Sequence, residues 1–172
     1  INTCGVLLFT THGELANRLM HASYEIKREY MARIHGDVNE AMIARLTEGV
    51  VLEDGIAKFQ TVKTQHAQSA DERSGSNRWF RVILAEGKTR EVRRLWEYQG
   101  VEVNRLKRIS YGPIELPSIV RRSEFIELDP KQVISLFRAV DLKPPRFSEK
   151  NVYRDIRERK EKKLRARGNP YK

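Results

Sequence analysis

The strongest constraint on the fold lies in residues 1–21, INTCGVLLFTTHGELANRLMH, where an apolar run passes directly into a helix start. Val6, Leu7, Leu8 and Phe9 suit a short strand buried on both faces. Gly5 before them suits a tight approach or a positive φ. Thr11 and Glu14 have capping-box spacing, which predicts a helix from near Gly13 with Leu15, Leu19 and Met20 on its buried face. Many folds feed a strand into a helix, so this segment alone assigns no activity.

The rest of the chain alternates strands and helices. Residues 27–35 predict a strand with Tyr30, Ala32 and Ile34 on one face. Gly36-Asp37 turns into a helix capped by Asp37 with Glu40 behind it, its apolar side formed by Ala41, Ile43, Ala44 and Leu46. Residues 50–52 and 56–62 are strand candidates joined through Asp54-Gly55, a hairpin signal. The polar stretch 65–77 predicts an exposed loop. Strands follow at 79–84, 101–109, 112–116 and 125–128. Helices are expected at 91–99, burying Val92, Leu95 and Trp96, and from Asp129-Pro130, burying Val133, Ile134 and Phe137. These links favour a mixed α/β (α+β) domain over residues 1–145, with a mainly antiparallel sheet and helices outside it.

Length and charge narrow the partners. The 172 residues can bury one real core, and 40% of them are hydrophobic. The net charge is +10, of which +7 falls in residues 146–172, read as a basic, mobile tail. Such a chain suits a polyanion, nucleic acid first. The tail has no Trp, only Phe147 among phenylalanines, and no clear apolar face, so a membrane surface fits less well. The single Cys4 excludes an intrachain disulfide, fits a reducing, cytoplasmic compartment, and reads as a small core residue. No apolar run approaches the length of a membrane span, no signal peptide is visible, and no obligate protein partner is evident.

Several motifs carry little. Gly87-Lys88-Thr89 mimics the end of a P-loop, but Val82 stands where that motif needs glycine. His12, His21, His35 and His66 lack metal-ligand spacing, and no metal is expected. The segment EGKTREVRRLW at 86–96 carries more. Lys88, Arg90, Arg93 and Arg94 crowd one helix start, which is costly unless an anion comes near. A solvated basic face balanced by Glu91 and Glu97 explains the same pattern. Tyr30 is equally readable as an ordinary half-buried strand tyrosine.

Three segments in order resemble the bacterial ribosomal pseudouridine synthases: Asn-Thr-Cys-Gly with its apolar run, Lys27-Arg28-Glu29-Tyr30, and Glu-Gly-Lys-Thr-Arg-Glu-Val-Arg-Arg-Leu at 86–95. The resemblance covers nearly all of residues 1–140. It implies the pseudouridine synthase fold, a mainly antiparallel sheet with flanking helices and a central cleft. It also implies a catalytic-domain fragment lacking an N-terminal domain similar to ribosomal protein S4, and an aspartate immediately before Ile1. His12 departs from the family, which usually has Asp there.

The reaction implied is isomerisation of uridine to pseudouridine in large-subunit ribosomal RNA, with base flipping and no cofactor. Carried over by motif, Arg93 pairs with the catalytic aspartate, Tyr30 stacks on the uracil or assists proton removal, and Leu106 lies beneath the base. Arg18, Arg28, Lys88, Arg90, Arg94, Arg105 and Arg108 are the expected RNA contacts, with Arg18, Arg28, Arg90, Arg94 and Arg105 expected at the cleft edge. Alternatives are a non-catalytic RNA-binding module, or the same chemistry on small-subunit ribosomal RNA or transfer RNA.

Overall fold

A computed structural model of the chain describes residues 3–65, 77–121 and 123–147. Its main sheet has six strands. The path runs β1 (Thr3–Gly5), β7 (Glu102–Tyr111), β2 (Arg28–His35), β6 (Asn77–Leu84), β5 (Thr61–Gln65), and β8 (Ile114–Glu115) also pairs with β7. β1 runs parallel to β7, and every other pairing in the sheet is antiparallel. A separate two-stranded hairpin joins β3 (Val50–Leu52) and β4 (Gly55–Ala57). The helices are α1 (Gly13–Met20), α2 (Glu40–Glu48), α3 (Glu91–Tyr98) and α4 (Pro130–Ala139), with a 3-10 turn at Ala22–Tyr24. The mixed, mainly antiparallel sheet expected from the sequence is present.

Two hydrophobic cores hold these elements. The first packs Ala32, Ile34, Phe80, Val82, Val103 and Leu106 of the sheet against Leu46 of α2 and Val92, Leu95 and Trp96 of α3. Trp96 is its anchor, with ring centroids of Phe80 and Phe59 at 5.1 and 5.8 Å. Truncating so large a buried side chain to alanine costs about 3–5 kcal/mol. The second core joins Val6, Leu15, Leu19, Ile26, Tyr111, Ile114, Leu136, Phe137 and Val140.

The opening segment departs from expectation. The strand is Thr3–Gly5, an edge strand exposed along its length, and not the apolar run after it. Val6 is buried and Leu8 packs on the second core, whereas Leu7 and Phe9 face outward. Among the described residues β1 pairs with β7 alone, and the segment buries one side. Cys4 is exposed for the same reason, and is not a core residue. Met20 is exposed at the end of α1, while Leu15 and Leu19 are buried as expected.

Caps also differ. His12 caps α1 by accepting from Leu15 N at 3.1 Å, and Glu14 pairs instead with Arg18 at 2.6 Å. Asn39, not Asp37, caps α2 by accepting from Met42 N at 2.9 Å. Ala41 and Ala44 of that helix are exposed. The 56–62 strand is split, because Phe59 turns into the core with its N–H on Leu46 O. Residues 125–128 form no strand, and Phe125 is exposed. Asp129 and Gln132 form the capping box of α4. The expected loop over 66–76 and the tail over 148–172 lie outside the described residues.

Candidate active site

The two cores meet at a cleft of about 650 Å³, lined by β1, β2, β7, the 86–90 turn and the start of α3. Register brings its floor together. On β7, Leu106 stands opposite Thr3 of β1 on one side and Ala32 of β2 on the other, and Arg108 stands opposite Tyr30. Gly5 makes the β1–β7 approach possible. Its φ is +125°, and an added Cβ would lie 2.3 Å from Arg108 O, inside contact distance.

Arg93 enters from α3. It is buried, donates to the Val103 carbonyl, and directs Nη2 to Thr3 Oγ1 at 3.4 Å. The strand anchor at Val103 fixes the guanidinium beside the beginning of β1. A guanidinium held there presents a planar donor set to any carboxylate delivered from the same strand.

Tyr111 organises the opposite side. Its hydroxyl donates to Leu19 O at 2.9 Å, and the Arg28 and Arg108 guanidinium carbons lie 5.0 and 4.9 Å from its ring centre. Arg28 is buried and donates to the carbonyls of Ile26, Ala85 and Leu19 and to Tyr111 Oη. Arg108 Nε donates to Val6 O at 2.9 Å. Within the described residues neither guanidinium pairs with a carboxylate. Burying the Arg28 charge is costly, and an incoming anion offsets the cost.

The 86–90 turn forms the cationic wall. Lys88 Nζ bonds Ile56 O at 2.7 Å and sits 3.1 Å from Glu86. Arg90 has φ +52°, a left-handed conformation at the helix start, with no side-chain cap. The turn before the helix is closed by Glu91, whose Oε2 accepts from Lys88 N at 3.1 Å. Glu91 is buried, and its Oε1 meets no hydrogen-bond partner among the described residues. Burial pushes its carboxyl pKa up, against the downward pull of the Lys88 N–H.

Of the residues singled out by sequence, Tyr30, Arg93, Leu106, Arg28, Lys88, Arg90 and Arg108 line this one cleft. Arg18, Arg94 and Arg105 do not, and the expectation of a cleft edge is corrected for them. Arg18 pairs with Glu14 and donates to the carbonyls of Val140 and Asp141. Arg94 forms a two-point bridge to Asp54 at 2.8 and 2.7 Å, which lowers the Asp54 pKa and ties α3 to the β3–β4 hairpin. Arg105 is exposed on β7, one position off the parity of Leu106 and Arg108. Arg28 lies buried within the cleft lining and not at its edge.

Sequence reading passed over Thr3, Glu91 and Tyr111 as cleft residues. Only Glu91 left a signal, an acid inside a cationic run; Tyr111 needed the β7 register and the α1 carbonyl to be seen. Among the described residues no group of three His, Cys, Asp or Glu is placed to hold a metal, and no helix is long and apolar enough to cross a membrane.

Known proteins share this sequence and fold. A family model described as RNA pseudouridylate synthase matches residues 1–98. Ribosomal large subunit pseudouridine synthase B of Pseudomonas aeruginosa is 47% identical over 170 residues, covering 99% of this chain and 42% of that protein. The protein of the same name from Escherichia coli K12 is 48% identical over 165 residues, covering 96% and 55%. This chain therefore spans about half the length of the curated relatives it matches. A solved structure described as pseudouridylate synthase superimposes with a TM-score of 0.62 at 20% identity, over 74% of this chain and 52% of the other. Sequence and fold agree: the chain belongs to the RNA pseudouridylate synthase family.

Proposed function

We propose that this chain is the catalytic part of an enzyme that isomerises uridine to pseudouridine in large-subunit ribosomal RNA, working in the cytoplasm. The observation that carries the reading is the meeting of Arg93, Tyr30 and Leu106 in one cleft beside the start of β1. The printed names of relatives at 47–48% identity support the choice of RNA. Residues 1–145 form the catalytic unit in this reading, and 146–172 a basic tail that adds phosphate contacts.

The proposed chemistry is the one the family resemblance implies. The N1–C1′ bond of the target uridine breaks, the uracil turns, and C5 joins C1′. The C5 proton is then lost and N1 regains one, so the product is an isomer and no redox partner is consumed. In this reading an aspartate expected just before Ile1 serves as nucleophile or as base toward the ribose. Arg93 keeps that carboxylate ionised and aimed. Tyr30 stacks on the uracil and offers its hydroxyl for proton removal, while Leu106 supplies an apolar floor. Flipping the uridine out of its stem costs a few kcal/mol. Phosphate contacts to Lys88, Arg90 and Arg108, with the buried charge of Arg28 behind them, offset that cost.

The test is to map pseudouridine at every ribosomal and transfer RNA position in cells lacking the gene, then after its return. Loss and recovery at a large-subunit position is the expected result. Loss only in small-subunit or transfer RNA would move the substrate. No loss anywhere would leave a non-catalytic RNA binder.

A further inference from the structure

We propose that the outward face of the main sheet, on the side away from Tyr30 and Leu106, is a docking surface for the phosphate backbone of a base-paired RNA segment. This inference rests on the RNA reading above and adds a second contact to it. Strand register defines the face. Lys107, Met31, Arg81 and Lys63 stand opposite one another across β7, β2, β6 and β5. Two positions along, Arg105, Arg33, Trp79 and Gln65 form a second row. Ala32, Phe80, Val82 and Leu106 alternate with them and point into the first core, so both rows point away from it. None of the eight belongs to either core.

The rows set like charges side by side. Arg33 stands directly opposite Arg105, and Lys63 opposite Arg81. Cross-strand pairs of one sign destabilise a sheet unless an anion comes near. Glu29 relieves one cation by bridging Arg81, with Glu115 acting on the same guanidinium. The remaining acid of the six strands, Glu102, stands opposite His35 at the far end. Among the described residues Arg33, Lys63, Arg105 and Lys107 form no ion pair, whereas Arg18, Arg81, Lys88 and Arg94 do. These cations are spread over the face, not gathered on one point. Strands about 4.8 Å apart extend the first row over roughly 14 Å. A small anion meets one or two of them, while a polymer with repeating phosphates meets all. The one aromatic ring in the two rows, Trp79, is half-buried, so the face lacks the open stacking platforms that single-stranded RNA uses. A paired segment needs none, because it is held through phosphates and 2′-hydroxyls.

The experiment measures binding of the chain to a blunt RNA duplex and to oligouridine across a salt series. The variant Arg33→Gln/Arg105→Gln/Lys107→Gln is compared with the native chain and with Lys58→Gln/Lys131→Gln/Arg138→Gln, which removes three exposed cations outside the two rows. For the face variant the expected result is a loss of roughly tenfold or more on the duplex, a salt slope flatter by about two to three, and oligouridine binding within about threefold. The control variant should keep the native slope. Equal losses in the two variants, or none in either, overturn the docking face while leaving the RNA reading standing. Acetylation of the native chain with and without duplex, read by mass spectrometry, needs no variant. Protection of Lys63 and Lys107 but not of Lys131 is expected, and unprotected Lys63 and Lys107 overturn the proposal. Failure of the native chain to bind either RNA overturns the RNA reading as well. Tighter binding to polyglutamate than to the duplex, with the same two lysines protected, assigns the face to an acidic protein and also overturns the proposal.

Discussion

Arg93 Nη2 lies 3.4 Å from Thr3 Oγ1 although the two residues stand 90 positions apart in the chain. The contact joins the helix that follows the Lys88–Arg90 turn to the first described strand. Arg93→Lys keeps the charge but loses the planar fork. With an aspartate introduced directly before Ile1, as the proposed mechanism requires, it should cut pseudouridine formation by about a hundredfold or more. RNA affinity should stay within roughly tenfold, since one cation remains in place. Single-turnover assays and filter binding separate the two effects, and full turnover in the variant would remove Arg93 from the chemistry.

Gly5 controls whether β1 can reach β7 at all. Its φ of +125° and the 2.3 Å clash of an added Cβ with Arg108 O leave no room for a side chain. Gly5→Ala should cost more than about 1 kcal/mol and lower activity as β1 lifts away. Gly13→Ala is the control, because nothing lies within 4 Å of its added Cβ. Thermal denaturation of both variants decides it. Equal melting temperatures would mean that β1 docking does not depend on Gly5.

How far the sequence could be read depended on which contacts were local. The β2 alternation, the Asp129 cap and the Val92, Leu95, Trp96 stripe of α3 are set by neighbours a few positions away, and each was legible. The apolar run at 6–9 was misread because burial there is a tertiary matter. Its composition suits a central strand, but the topology left the segment at an edge with one face open. The caps were misplaced by one or two residues because His12 and Asn39 compete with Thr11 and Asp37 for the same role. In the cleft, Arg93, Tyr30 and Leu106 were found through motifs. Tyr111 was invisible, since its role comes from Arg28, Arg108 and the Leu19 carbonyl, all distant in sequence.

That role makes Tyr111 a test of how the cleft cations are held. Tyr111→Phe keeps the ring under Arg28 and Arg108 and loses the hydroxyl bond to Leu19 O. It should cost on the order of 1 kcal/mol in stability with RNA affinity nearly intact. Tyr111→Leu also removes two cation–π contacts, each about 0.5–2 kcal/mol, and loosens both guanidinium groups, which keep only their bonds to backbone carbonyls. RNA binding should then weaken severalfold. Isothermal titration of the two variants distinguishes the roles, and identical behaviour would show that the ring does not position the cations.

Glu91 gives the fold a pH dependence of defined sign. Its carboxyl is buried with one oxygen unpartnered among the described residues, and desolvation raises its pKa above the ordinary value. A raised folded-state pKa means the native state holds the proton more tightly than the unfolded chain. The stabilisation is therefore complete below the ordinary carboxyl range and is lost as pH climbs through the raised value. Glu86 reinforces the shift, while Lys88 and Arg94 oppose it. Glu91→Gln keeps an acceptor for the Lys88 N–H and never ionises. Its melting temperature should exceed that of the native chain at neutral pH, and the gap should close as pH falls below the ordinary carboxyl range. Scanning calorimetry across that range is the measurement. A gap that stays constant with pH, or a variant less stable at neutral pH, would mean that Glu91 is ionised and compensated in the native state.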